Sequence, residues 1–301
     1  MRGGEIAVAR VARNPAGPAR AALDAARRLR RRWRPLARRV VLGGLGVVVV
    51  LGLWTLAGMA VGRYLPPPWT VVANLLDHFF ASDYLRGLGL PAGGYIDHVW
   101  ATTGKVVVGM VVGTLVGGTL ALAAAHIRWI GEAFAPLVAA LGTLPILALA
   151  PFFLIWFGIS AVSQIVLVSL YTVTIIYIYS LRAVRNIDAR YGDYARTLGA
   201  PRRLVFHRVS LPAALPEMFG GIRIAFAASW GLTAIAELLG AQSGAGRAIL
   251  SLSAVYDVTG MMAVILLLGI VALIMDGLIV MAKAWLTRWS AVGAGSSGGS
   301  S

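Results

Sequence analysis

Two groups of residues are placed to do specific work. One is the polar, Arg-rich run Asp193-Tyr-Ala-Arg-Thr-Leu-Gly199-Ala-Pro-Arg-Arg-Leu-Val-Phe-His-Arg-Val209-Ser-Leu211-Pro212, set between long apolar stretches. The other is a scatter of charges within or beside those stretches: Lys105, Arg223, Glu237 and Asp276. Neither is a catalytic constellation. The polar run has the makings of a docking element. Asp188 can cap a short helix running to Leu198, Gly199 suits the left-handed position that closes it, and Pro201 suits the first turn of a second short helix. Leu211-Pro212 is then expected to close the loop. On the first helix Tyr191, Tyr194, Ala195 and Leu198 fall near one side as a partly apolar knob, which calls for a partner.

Other chemistries are excluded by residue type. The chain has no cysteine, so disulfides, thiolate metal sites and cysteine nucleophiles are ruled out. His78, His98, His126 and His207 show no metal-ligand spacing. A phosphate-cradling loop needs Gly-x-x-x-x-Gly-Lys-Ser/Thr, whereas Gly104-Lys105 is followed by Val and lies in an apolar stretch. This chain is therefore no enzyme by its motifs, and it carries no cofactor or metal site of its own.

The elements that position these residues are membrane spans. Of 301 residues 58% are hydrophobic and 13% charged, against roughly 25% charged in a soluble domain. Apolar windows long enough for a bilayer core occur at about 40 to 62, 99 to 125, 132 to 157, 161 to 181, 213 to 239 and 260 to 282. The formal net charge of +15 sits in blocks between spans and reports topology, not a nucleic-acid partner. With both termini inside, inner segments hold 22 of the 27 Lys and Arg, twelve of them before Val40. Residues 1 to 39 form a basic cytoplasmic segment whose stretch from Arg20 suits an amphipathic helix on anionic lipid. Residues 40 to 290 form the six-span domain, and the Gly/Ser tail over 291 to 301 has the composition of a linker. The outer segment Arg63 to His98, with Trp69, Phe79, Phe80 and Tyr84, suits a short interfacial helix. Gly109, Gly113 and Gly117 make a close-packing stripe, and Pro145 and Pro151 can kink the third span.

The spacing acidic-x-Ala-x-x-x-Gly, nine residues, then β-branched-x-Leu-Pro resembles the cytoplasmic loop signature of ABC-importer permeases, with Asp193 in place of the usual Glu and Tyr194 in place of the first Ala. Leu144-Pro145 to Pro151, Ile155 to Ile159, Gly221-Ile-Arg223-Ile and Ala236-Glu237-Leu238-Leu239 are similar to the nitrate/sulfonate/taurine/bicarbonate branch. The resemblance covers about residues 60 to 285. It implies an all-α membrane protein with the type I importer permease fold and a coupling helix. Tyr191, Asp193, Tyr194, Ala195, Leu198, Gly199, Ala200, Leu211 and Pro212 would meet the ATPase. It further implies a bacterial inner-membrane location, a second permease copy, two ATPase subunits that carry ATP and Mg, and an external solute-binding protein. For a small anionic solute Lys105 is the candidate path cation, since it lies one turn before Gly109 on a face turned toward protein. Its alternative is snorkelling or pairing with an acid. Glu237 reads as an outer gate or packing carboxylate, Arg223 as an inner anchor and Asp276 as paired within the bundle.

Overall fold

The computed structural model describes residue 38 and residues 41–288. The basic segment expected before Val40, save Arg38, and the tail expected over 291 to 301 lie outside the described residues. The chain divides into two compact units, 1–62 and 63–301. Helix α1 (Val41–Tyr64) starts in the first. Its Val and Leu side chains are largely exposed, as a helix solvated by lipid requires.

In the second unit, α2 (Pro68–Asp77) and α3 (Asp83–Gly87) precede the long helix α4 (Tyr95–His126). The segment expected to carry one short interfacial helix thus forms two. Pro68 starts α2, where its missing N–H costs nothing, and the Ser82 hydroxyl caps α3 by accepting from Leu85 N. The turn between them then caps α4: Tyr95 N donates to the His78 carbonyl at 2.9 Å and Ile96 N to that of Phe79 at 3.2 Å.

Next come α5 (Arg128–Thr143) and, beyond a 3-10 turn at Ile146–Leu149, α6 (Ala150–Phe157). The expected single span 132 to 157 is broken, with a bend of 92° between its halves. Pro145 sits at the break and Pro151 in the first turn of α6, so neither has to donate within a helix. Helix α7 (Ala161–Arg185) follows, then α8 (Ala189–Thr197).

The chain after α8 also departs from expectation. Helix α9 (Arg202–Val205) passes through a π-helical turn, Phe206–Ser210, directly into α10 (Leu211–Leu239). Leu211 N reaches back five residues to the Phe206 carbonyl. This wider turn accommodates Pro212, which has no N–H and sits in the first turn of α10. Leu211-Pro212 therefore continues a helix where a loop closure was expected. A short helix, α11 (Ala245–Ala254), and α12 (Val258–Leu286) complete the order. Among the described residues five helices are long and apolar enough to cross a bilayer, or six if the bent pair counts as one.

Three of these helices, α4, α7 and α10, make the centre of the bundle. The glycine stripe of α4 faces α7: a Cβ at Gly109 would stand 2.8 Å from the Val168 Cβ, and one at Gly117 would stand 2.6 Å from the Val173 carbonyl oxygen. Small residues replace the solvent-driven burial that lipid does not offer. At the junction Met110 receives the hydroxyls of Thr172 and Ser229 at 3.3 and 3.4 Å on its sulfur. Val106, Ala225, Phe226 and Trp230 pack around it.

Gly117→Ala is expected to destabilise the protein by about 1–3 kcal/mol, the usual scale for overpacking, because backbone stands where the methyl would go. Gly104→Ala, whose methyl meets nothing within 4 Å, is expected to be neutral or stabilising. Thermal unfolding of both variants in one detergent checks the contrast.

Candidate functional site

The polar groups of the bundle converge where α10 ends. Glu237 is fully buried, and three donors reach its carboxylate: Lys105 Nζ at 2.8 Å, the Thr102 hydroxyl at 2.9 Å and Gly246 N at 2.9 Å. Lys105, itself buried, gives a second hydrogen bond to the Ser243 carbonyl at 2.8 Å. Thr102 Oγ1 also accepts from Ala245 N at 2.7 Å, and its proton serves either Glu237 or the His98 carbonyl. Residues one turn apart on α4 thus hold both the end of α10 and the start of α11.

This arrangement solves a capping problem. The first N–H groups of α11 have no intrahelical partner, and Gly244 at its N-cap has no side chain to offer. Glu237 and Thr102 cap the helix from elsewhere in the chain, with a carboxylate at the positive end of the helix dipole. The loop must be glycine for this to fit. Gly244 has φ +126, and a Cβ there would land on the Glu237 carboxylate; a Cβ at Gly246 would strike the Ala234 carbonyl. From the other side the Gln164 amide of α7 donates to the Gly240 carbonyl at 2.8 Å. Arg223 and Asp276, read from sequence as an anchor and a paired acid, bind one another through two contacts of 2.7 Å between α10 and α12.

Lys105 and Glu237 are therefore brought together, and Thr102, Gln164, Ser243, Gly244 and Gly246 join them. Sequence reasoning missed these five. The one available signal was the run Gly240-Ala-Gln-Ser-Gly-Ala-Gly246, whose glycines mark close backbone approach.

The opposite end of α10 leads to the segment that the sequence marks as a candidate docking element. Asp188 caps α8, its carboxylate accepting from Arg190 N at 2.9 Å. Gly199 has φ +81; its N–H goes to the Arg196 carbonyl at 2.9 Å and that of Ala200 to the Ala195 carbonyl at 3.0 Å, a Schellman closure. Tyr191, Tyr194 and Leu198 stand 66%, 74% and 78% exposed. Their spacing puts them on one helical face. Asp193 is exposed and pairs with Arg196 at 3.1 Å, while Ala195, Ala200, Leu211 and Pro212 turn half inward. The sequence-named residues thus split into an outward face and an inward seat.

Residues 109–288 match the family described as binding-protein-dependent transport system inner membrane component. The chain belongs to that family. The permease is 28% identical to the taurine transport system permease protein of Escherichia coli, over 87% of this chain and 94% of that one. It is 27% identical to a putative aliphatic sulfonates transport permease protein of Bacillus subtilis, over 83% and 82%. It is also 26% identical to a formylaminopyrimidine transport permease protein of Halalkalibacterium halodurans, over 75% and 87%. An inward-facing structure of the MetNI methionine ABC transporter superposes on the permease with a TM-score of 0.55 at 22% identity, over 69% of this chain and 98% of that one, which establishes the shared fold. That fold is the type I importer permease arrangement expected from the sequence.

Because Lys105 and Glu237 compensate one another, removing one charge from the permease leaves the other buried. Glu237→Gln and Lys105→Met are each expected to cost about 3–5 kcal/mol. The double variant Lys105→Met/Glu237→Gln should recover part of that loss. Helix content followed through thermal unfolding checks the cycle; single variants as mild as surface substitutions would show that the pair is not holding the loop.

Proposed function

We propose that this permease imports a small solute by alternating access, with energy from a separate ATPase subunit docked on α8. The observation that carries the reading is the exposed Tyr191, Tyr194 and Leu198 face on a helix fixed at both ends by Asp188 and Gly199. An apolar face held rigid by its own caps has little ordering entropy left to lose on docking. Asp193 and the arginines around it supply a polar rim, and α8 rests on α9 and the π-helical turn that leads into α10.

In this reading two copies of the chain, two ATPase subunits with ATP and Mg, and an external solute-binding protein make the working assembly. The termini are cytoplasmic, in keeping with the concentration of Arg before Val40 and between Arg182 and Arg208. Closure of the ATPase pair pushes on α8, and the spans rock between two packings. Lys105 and Glu237 border the path as its fixed outer end, since their polar atoms hold the α10–α11 loop.

The solute we favour is a small sulfonate of the taurine class or a related oxyanion, on the strength of the taurine and sulfonate relatives. The formylaminopyrimidine relative supports a second reading, a vitamin precursor. ATPase stimulation of the reconstituted assembly by a panel of both classes separates the two.

Tyr194→Ala/Leu198→Ala is expected to release the ATPase subunit on co-purification and to lower transport by at least about tenfold, on the scale of interface hot spots. Thermal unfolding should be unchanged, because both side chains are exposed. ATP-independent, gradient-driven flux by this chain alone would overturn the reading.

A further inference from the structure

A cavity of about 270 Å³ lies where the third span breaks. Leu141, Pro145 and Leu147 line it from α5 and the turn that follows, Tyr171 and Thr174 from α7, and Leu232 from α10. Its depth follows from helix length. Tyr171 stands ten residues from the start of α7 and fourteen from its end, about 15 Å and 21 Å at 1.5 Å per residue. The cavity is therefore near the middle of the bilayer. Gly142, Thr143, Leu144 and Pro145, which carry the chain into the 92° bend, are exposed there. Irregular backbone does not face lipid at that depth; it is tolerated where protein covers it or where it lines a water-filled path.

Two polar groups at this cavity are open. Pro145 has no N–H, so the Leu141 carbonyl, four residues before it, has no helical donor, and carbonyls at the end of a helix point along its axis toward the break. The Tyr171 hydroxyl has no hydrogen-bond partner among the described residues and, unlike that of Tyr177, is not sealed in the core. Neighbouring hydroxyls are already engaged: Thr174 donates to the Leu170 carbonyl at 3.0 Å and Thr143 to that of Ala140 at 2.8 Å. The lining residues include no cation. The cavity thus offers oxygen acceptors at the negative end of α5, between apolar walls. That suits an amino or ammonium group, not a bare oxyanion.

We infer that this cavity is a contact site for the transported solute, and that it takes the solute's amino group on the Tyr171 hydroxyl oxygen and the Leu141 carbonyl. The inference rests on the import reading above and narrows its solute to one that carries an N–H donor. Among sulfonates it favours an aminosulfonate such as taurine over a simple alkanesulfonate.

The chain has no cysteine, so a single introduced thiol reports its own surroundings. Leu144→Cys sits on the exposed bend, and Leu273→Cys, 74% exposed near the middle of α12, is the control at similar depth. With the full chain reconstituted in liposomes, a water-soluble thiosulfonate reagent is expected to label the first much faster than the second, because the thiolate that reacts forms only where water reaches. Saturating taurine should slow that labelling by at least about threefold, and ethanesulfonate, which lacks the amino group, should not. Tyr171→Phe removes a hydroxyl that holds nothing in the fold, so thermal unfolding should match the wild type. In the Leu144→Cys background it is expected to weaken the apparent affinity for taurine by about tenfold, the scale of one hydrogen bond to a charged group. Labelling of Leu144→Cys no faster than of Leu273→Cys, as a dry cover by the second copy would give, overturns the inference. So does absence of protection by taurine, equal protection by ethanesulfonate, or undiminished protection in Leu144→Cys/Tyr171→Phe. No ATPase subunit enters the assay, so these results leave the import reading standing.

Discussion

A backbone inside a membrane protein must find its hydrogen bonds within the protein, and the hardest place to meet that demand is a turn between two helices. Here the demand falls on Gly240 to Gly246, where α10 stops and α11 begins. The buried Lys105–Glu237 pair meets it. Glu237 accepts from the start of α11, Lys105 donates to the loop carbonyl of Ser243, and each neutralises the other. The glycines at 244 and 246 follow from this, since the carboxylate and the Ala234 carbonyl occupy the space of their missing side chains. So does the position of Gln164, which holds the loop from α7.

The same helix that presents Glu237 at one end reaches, at the other, the segment proposed to dock the ATPase. The continuous stretch Arg203–Leu239 covers 37 residues, or about 55 Å of helix at 1.5 Å per residue. The π turn at Phe206–Ser210 keeps it continuous past Pro212. A helical stretch of that length runs from beside α8 to the α10–α11 loop, and it packs along α7, which the glycine seam holds close to α4. The two ends differ in character. At the α10–α11 loop the Lys105 and Glu237 charges are buried and paired, whereas α8 leaves two tyrosines and a leucine without cover.

Much of the architecture was legible because it rests on local rules. Apolar run length marks spans, so α1, α4, α7, α10 and α12 follow from the sequence within a few residues. Cap chemistry is equally local: Asp188 and Gly199 close α8 as their side-chain and backbone preferences dictate. In the third span the kink expected at Pro145 is present, but its size, 92°, was not legible, because hydropathy does not register direction. Leu211-Pro212 was misjudged because proline normally ends a helix, and a π turn upstream removes the reason for it to do so.

The sequence by itself determined the membrane solvent, the span count to within one bent pair, the capped helix α8 and the membership of a permease family, because each depends on composition or on spacing along the chain. Only the tertiary structure decided that Lys105 meets Glu237, 132 residues away, and that Thr102 caps a helix it does not belong to. Those outcomes depend on which faces of distant helices come into contact. Packing in three dimensions sets that, and no single stretch of sequence records it.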